Sequence, residues 1–179
     1  MYIKDLLSPV ILGLLMTSAA AMEPRFNVTA ISAQYGNSRI ECWQLDSSFS
    51  VSAQPGVAGG GAARLGDVSE MTYNVIPAHY DGGFHNAPRN QWVAALSGLA
   101  YVTVPGDQSN GLHVTGGDIL FAADTANVSR LGHRSQYPGV TETVFLQVPT
   151  RHGEIPSHTV LHQGPCNASE VARARGLVI

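Results

Sequence analysis

Lysine is almost missing from this chain: Lys4 is the only one in 179 residues. A Schiff-base lysine is excluded once the first residues are removed. Cysteine is nearly as scarce, with Cys42 and Cys166 alone. If the two pair, no thiolate nucleophile remains. Charged residues make up 13% of the chain and net charge is −3. No basic stretch marks a nucleic-acid footprint, and no basic amphipathic helix marks a membrane surface. The longest apolar run, Leu6 to Met16, falls short of the roughly 20 residues that a spanning helix needs. Internal repeats and heptads are absent too.

What is present begins with a leader. Lys4 gives a positive start, Val10 to Met16 an apolar centre, and Ala19-Ala20-Ala21 a small-residue cleavage site. Residues 1–21 are therefore expected to be a secretory signal peptide. Residues 22–179, about 155 in all, suffice for one domain with its own core. Asn27, Asn127 and Asn167 each begin an N-glycosylation sequon. An oxidising compartment would pair Cys42 with Cys166 and tie the C-terminal tail to an early strand. In the chain-entropy model such a bridge contributes about 4–5 kcal/mol.

Between those marks lie short runs rich in Val, Ile, Tyr and Thr, punctuated by Gly, Pro, Asn and Asp. They predict strands at 28–35, 39–45, 49–53, 71–76, 91–96, 100–104, 118–122 and 143–148. The glycine-rich stretch 56–63 predicts a loop. Many short strands with turns between them read as a sandwich or barrel, hence all-β. One short helix is expected in the tail, over 169–175, capped by Asn167 or Ser169.

The segment His79 to His133 resembles the cupin superfamily of jelly-roll barrels. His85 stands at the first histidine of that family's first motif, Gln91 at its glutamate and Gly98 at its closing glycine. Gly117-Asp118 opens the second motif. The run Asp81 to Pro88, with Gln91-Trp92, Gly132-His133 and Tyr137-Pro138-Gly139, is similar to small secreted fungal cupins. Some of these lie beside genes for secondary metabolites. The resemblance implies a cupin-type double-stranded β-helix, a tailoring role, and a homodimer paired through exposed sheet edges.

The chain departs from the motif at three of the four usual metal-ligand positions. Ala87 replaces the second histidine, Gln91 the glutamate, and Val128 the histidine of the second motif. An amide oxygen is a weak donor beside imidazole or carboxylate. No metal cofactor is therefore expected. The alternative is an iron, manganese or copper site on His79, His85 and His133.

His85 is the leading catalytic candidate, since imidazole suits proton transfer near neutrality. His133 is its expected partner. Gln91 should face the same way as Val93 and Ala95, and its amide can bind a substrate carbonyl. Asn86, Tyr73, Tyr101 and Phe121 are taken as substrate-binding candidates, although the three aromatics, like Phe145, read first as core and only second as pocket wall. Trp92 should pack on the opposite face, and Asp81 with Arg89 reads as a surface pair. His152, His158 and His162 read as solvated, and His113 carries no signal.

The expectation is a secreted enzyme that needs no cofactor. It would fold a small apolar polyketide or terpenoid and promote cyclisation, isomerisation, pericyclic closure or dehydration. The alternatives are a quercetin-type dioxygenase on the three histidines and a secreted small-molecule-binding protein.

Overall fold

The computed structural model describes residues 24–171. The leader and the tail beyond Val171, which holds most of the expected helix, lie outside the described residues. Thirteen strands follow in order. They are β1 Arg25–Gln34, β2 Asn37–Ser48, β3 Ser50–Val51, β4 Gly61–Ala62, β5 Thr72–Ile76, β6 Tyr80–His85 and β7 Gln91–Ser97. Next come β8 Leu99–Val104, β9 Asp107–Thr115, β10 Ile119–Ala122, β11 His133–Tyr137, β12 Thr143–Pro149 and β13 His158–Gln163.

They form a seven-stranded sheet, β13-β2-β1-β10-β7-β12-β5, and a four-stranded sheet, β6-β11-β8-β9. Every pairing in them is antiparallel except β1 with β10. This is the expected all-β jelly roll. The chain switches sheet between β6 and β7 and again between β7 and β8, so His85 and Gln91 stand on opposite walls. No helix among the described residues is long and apolar enough to cross a membrane.

The eight expected strands exist, but 49–53 shrinks to β3, and its partner β4 lies inside the stretch 56–63 that was expected to be a loop. Strands β6, β9, β11 and β13 were not expected. β6 carries Gly82-Gly83, while β11 reads His-Arg-Ser-Gln-Tyr. Polar and glycine-containing strands fall outside β-propensity, yet tertiary pairing holds them.

The seven-stranded sheet is buried on both faces. Its inner face, with the small sheet, gathers Ile31, Ile40, Ala95, Ala100, Val102, Val114, Leu120, Ala122 and Phe145. Its outer face gathers Val28, Ala30, Trp43, Leu45, Trp92, Phe121 and Ala123. The segment after β4 covers this outer layer, with Leu65 packed on it. Trp92 sits there as expected and donates its indole N–H to the Leu65 carbonyl at 3.1 Å. The Cys42–Cys166 disulfide spans 124 residues and pins the tail. Asn167 begins a turn of that tail, its Oδ1 accepting the N–H groups of Ser169 and Glu170. Of the other sequon residues, Asn127 is exposed, and Asn27 is half-buried and donates to the Glu170 carbonyl.

Parity along the strands corrects two expectations. Phe121 is 0% exposed and packs at 4.9 Å from Trp92 and 5.9 Å from Trp43, on the face away from the inner space. Tyr73 on edge strand β5 is 64% exposed and also points outward. Phe121→Ala is therefore expected to destabilise by about 3–5 kcal/mol. Tyr73→Ala should stay within about 0.5 kcal/mol. Urea unfolding followed by the fluorescence of the two buried tryptophans reads both; equal costs would refute the assignment of faces.

Candidate functional site

Between the sheets lies a cavity of about 350 Å³, open at one side. That is within the size range of small-molecule sites. Its apolar wall includes Ile31, Val93, Val102, Val114, Leu120 and Phe145. Its polar groups are His85, His133, Gln91, Ser135, Tyr80, Tyr137, Asn74 and Gln147, and no Asp, Glu, Lys or Arg lines it. The site residues His85, His133 and Gln91 are thus brought to one space.

The histidines come from adjacent strands. His133 at the start of β11 pairs in register with His85 at the end of β6. Their ring centroids are 4.6 Å apart. Gly132 makes this approach feasible. At φ +70° it takes a left-handed turn, and a Cβ there would fall 2.0 Å from the His85 carbonyl oxygen.

Behind His133 stands Asp124, fully buried, whose Oδ2 lies 2.8 Å from His133 Nδ1. A carboxylate only accepts, so Nδ1 carries the hydrogen and Nε2 is left to the cavity. The same Oδ2 accepts the Ser38 hydroxyl at 2.8 Å. Ser38 and Ser129 are 2.7 Å apart, and Ser129 accepts the Gly132 N–H at 3.1 Å. With Ser38 committed to Asp124, Ser129 must donate to Ser38. The hydrogens then run one way, from Gly132 through both serines to the carboxylate. Asp124 Oδ1 is buried without a partner among the described residues.

His85 Nδ1 lies 3.0 Å from the Gly83 carbonyl, which fixes the same tautomer and frees its Nε2. Burial of the ring, and then the neighbouring His133, push this imidazole below its ordinary 6.5. Gln91 is 3% exposed and lines the opposite wall. Tyr137 is half-buried, and burial raises its phenol above the usual value, so it stays neutral.

Several expected residues belong elsewhere. Asn86 is a strut: its amide donates to the carbonyls of Asp124 and Ser129 at 3.0 and 2.9 Å. Tyr101 points out of β8, where its ring meets His113 at 4.6 Å and its hydroxyl accepts the Gly111 N–H. Asp81 pairs with Arg134, which holds its carboxyl at about 2, while Arg89 pairs with Glu70. His158 stacks on Trp43 at 3.6 Å and His162 bonds Glu170, so only His152 is freely exposed. Phe145 serves core and cavity wall at once. Asp124, Ser38 and Ser129 were missed; nothing in their local sequence distinguishes them.

The three histidines of the alternative metal site do not share the cavity. His79 sits in the turn before β6 at φ +59° and does not line the cavity. Ala87 is buried and Val128 lies on the exposed part of the following loop. Among the described residues, the group of three metal-ligating side chains in mutual reach is Cys42, His162 and Glu170, remote from this cavity. Two imidazoles and an amide fall short of a three-ligand site.

No protein-family model matches the chain, and no curated protein does. Among solved structures it is similar to a cupin protein from Bacteroides fragilis, at 20% identity over 50% of this chain and 70% of that one, with TM-score 0.36. A Bacillus halodurans protein gives 16% identity, 50% and 67% coverage and TM-score 0.34. A conserved Streptococcus pyogenes protein of unknown function gives 20% identity, 60% and 76% coverage and TM-score 0.33. At that overlap the jelly-roll assignment rests on strand order.

A depressed His85 has a defined consequence for stability. The unfolded chain takes up a proton near 6.5 that the folded site resists. His85's contribution is thus full above that value and is lost as pH falls below it. NMR titration of the imidazoles should give His85 a midpoint below 6.5, and Gly132→Ala should move it back up. A wild-type midpoint at or above 6.5 would refute this electrostatic account.

Proposed function

We propose that this is a secreted, cofactor-independent enzyme that moves a proton on a small, mostly apolar molecule held in the barrel. The observation that carries this reading is the pair of imidazoles at 4.6 Å, each with Nδ1 tied back and Nε2 free. One of them leans on a buried carboxylate. That arrangement suits general acid–base chemistry, typically worth 10²–10⁴-fold in rate.

One imidazole takes a proton from a carbon beside a carbonyl, or from a phenol. Asp124 steadies the positive charge that then arrives on His133, as a carboxylate does for the histidine of a catalytic triad. Returning the proton at another atom gives isomerisation; returning it to a β-hydroxyl that leaves as water gives dehydration; attack by the carbanion or phenolate on a second carbonyl of the same molecule opens that C=O π bond and closes a ring, and the alkoxide so formed takes the proton back. Gln91 donates its amide N–H to the substrate carbonyl from the facing wall, where charge develops. The apolar lining holds a flexible chain in a reactive conformation, which supplies rate without a nucleophile. The resemblance to small secreted fungal cupins supports a role in tailoring polyketide- or terpenoid-type metabolites.

A second reading is a metal-dependent oxygenase. Nδ1 atoms tied to a carbonyl and a carboxylate are also what orients metal-bound histidines. It lacks the third ligand expected from His79.

The test uses neutral polyketide-type ketones with an acidic C–H, incubated in deuterated water. Wild type should wash solvent deuterium into that carbon. His85→Ala and Asp124→Asn should each lower the rate by roughly 10²–10⁴. With His85 the base, activity should hold through neutrality and fall only below pH 6.5. Full exchange by His85→Ala would defeat the assignment. Stoichiometric iron, manganese or copper whose removal ends turnover would favour the oxygenase, and tight binding without exchange a carrier.

A further inference from the structure

The crosslink at the C-terminal tail has a second chemistry within reach. Cys42 on β2 stands opposite His162 of β13 in the strand register. Glu170 arrives on the turn capped by Asn167, with its carboxylate oxygens 3.0 and 3.1 Å from His162 Nε2. It also accepts the Asn167 N–H at 2.8 Å. Asn27 fastens the same turn by donating to the Glu170 carbonyl at 2.8 Å. The Cys42 sulfur, a His162 nitrogen and a Glu170 oxygen all lie within 4.8 Å of one another. Cys166 adds a second sulfur, bonded to the first.

We propose that reduction of the Cys42–Cys166 bond turns this corner into a zinc site, with Cys42, Cys166, His162 and Glu170 as its ligands. Two thiolates, an imidazole and a carboxylate make a donor set that zinc takes in tetrahedral array. Metal–ligand bonds of about 2.0–2.3 Å put those donor atoms roughly 3.3–3.8 Å apart. The His162–Glu170 separation is already close to that. His162 Nδ1 lies 2.9 Å from the Gln163 carbonyl, which leaves Nε2 for the ion and fixes the ring.

The chemistry balances. A dithiol reductant gives two electrons and two protons and closes its own disulfide, while the Cys42–Cys166 bond opens to two thiols. Cys42 is 0% exposed and Cys166 half-exposed, so attack falls on Cys166. Zinc then displaces both thiol protons, and a third where His162 enters as imidazolium. The tail stays pinned in either redox state by the same corner of the fold.

The full protein is reduced with a dithiol, desalted anaerobically and titrated with zinc against a chromophoric chelator, beside the oxidised form. The reduced form should bind one zinc and the oxidised form none. Cobalt should give tetrahedral visible bands with thiolate charge transfer. His162→Ala and Glu170→Gln should each weaken zinc by at least about tenfold, the scale of losing even an outer partner. No zinc on the reduced protein would overturn the proposal. So would an affinity that neither variant moves, the mark of two thiols in an opened chain. If reduction loosens the fold, zinc should restore the far-UV dichroism of wild type and not of His162→Ala; equal restoration also overturns it.

Discussion

The site depends on a buried carboxylate that has to be kept in company. Asp124 is shut off from solvent, and a charge in that position is tolerated only when donors meet it. Its Oδ2 receives two of them, Ser38 from β2 and His133 from β11. The loop between β10 and β11 is fastened to both. Asn86 grips its backbone at residues 124 and 129 from the other side, and bridges at Gly36–Ser129 and Ala87–Thr125 close it. His133 therefore reaches the cavity on a segment fixed at several points. Rigid support of this kind is what a proton-transfer geometry needs.

A cavity between two sheets also has to survive the pull toward close packing. The seven-stranded sheet meets that demand by separating bulk from space. Trp43, Trp92 and Phe121 crowd its outer face, while Ala95, Ala100 and Ala122 belong to the inner cluster. Small side chains there leave room that larger ones would fill. The forgone contacts are offset by the aromatic layer behind the sheet and by the disulfide, whose long loop gives the greater stabilisation in the chain-entropy model.

The alternating runs of β1, β2, β7, β8, β10 and β12 were legible because apolar β-branched residues repeat between turn signals. The strands facing the cavity mouth were not, since β6 and β11 carry glycine, arginine, serine and glutamine where propensity expects valine. Motif spacing pointed to His85 and Gln91. Period two says that neighbours face opposite ways, not which way is inward. That is why Tyr73, Tyr101 and Phe121 were assigned to the cavity when Asn74, Val102 and Leu120 line it. Ser38 meets Asp124 across 86 positions and Ser129 across 91, contacts that only the folded register creates.

The two imidazoles are not held alike, and under the proposed function that difference bears on how a proton would move between them. Like charges at ring-contact distance repel strongly, so the pair holds one extra proton far more readily than two. His133 Nδ1–H faces the buried Asp124 carboxylate at 2.8 Å. His85 faces only a carbonyl dipole, and desolvation with the nearby His133 already disfavours its charged form. The environment thus sets an imidazole that resists charging at the rim beside a deeper one backed by a carboxylate. Under the proposed function, that difference in support gives the two rings different parts to play. In that reading Gln91, on the opposite wall, needs no charge of its own, since an amide N–H suffices to meet a carbonyl on which charge develops.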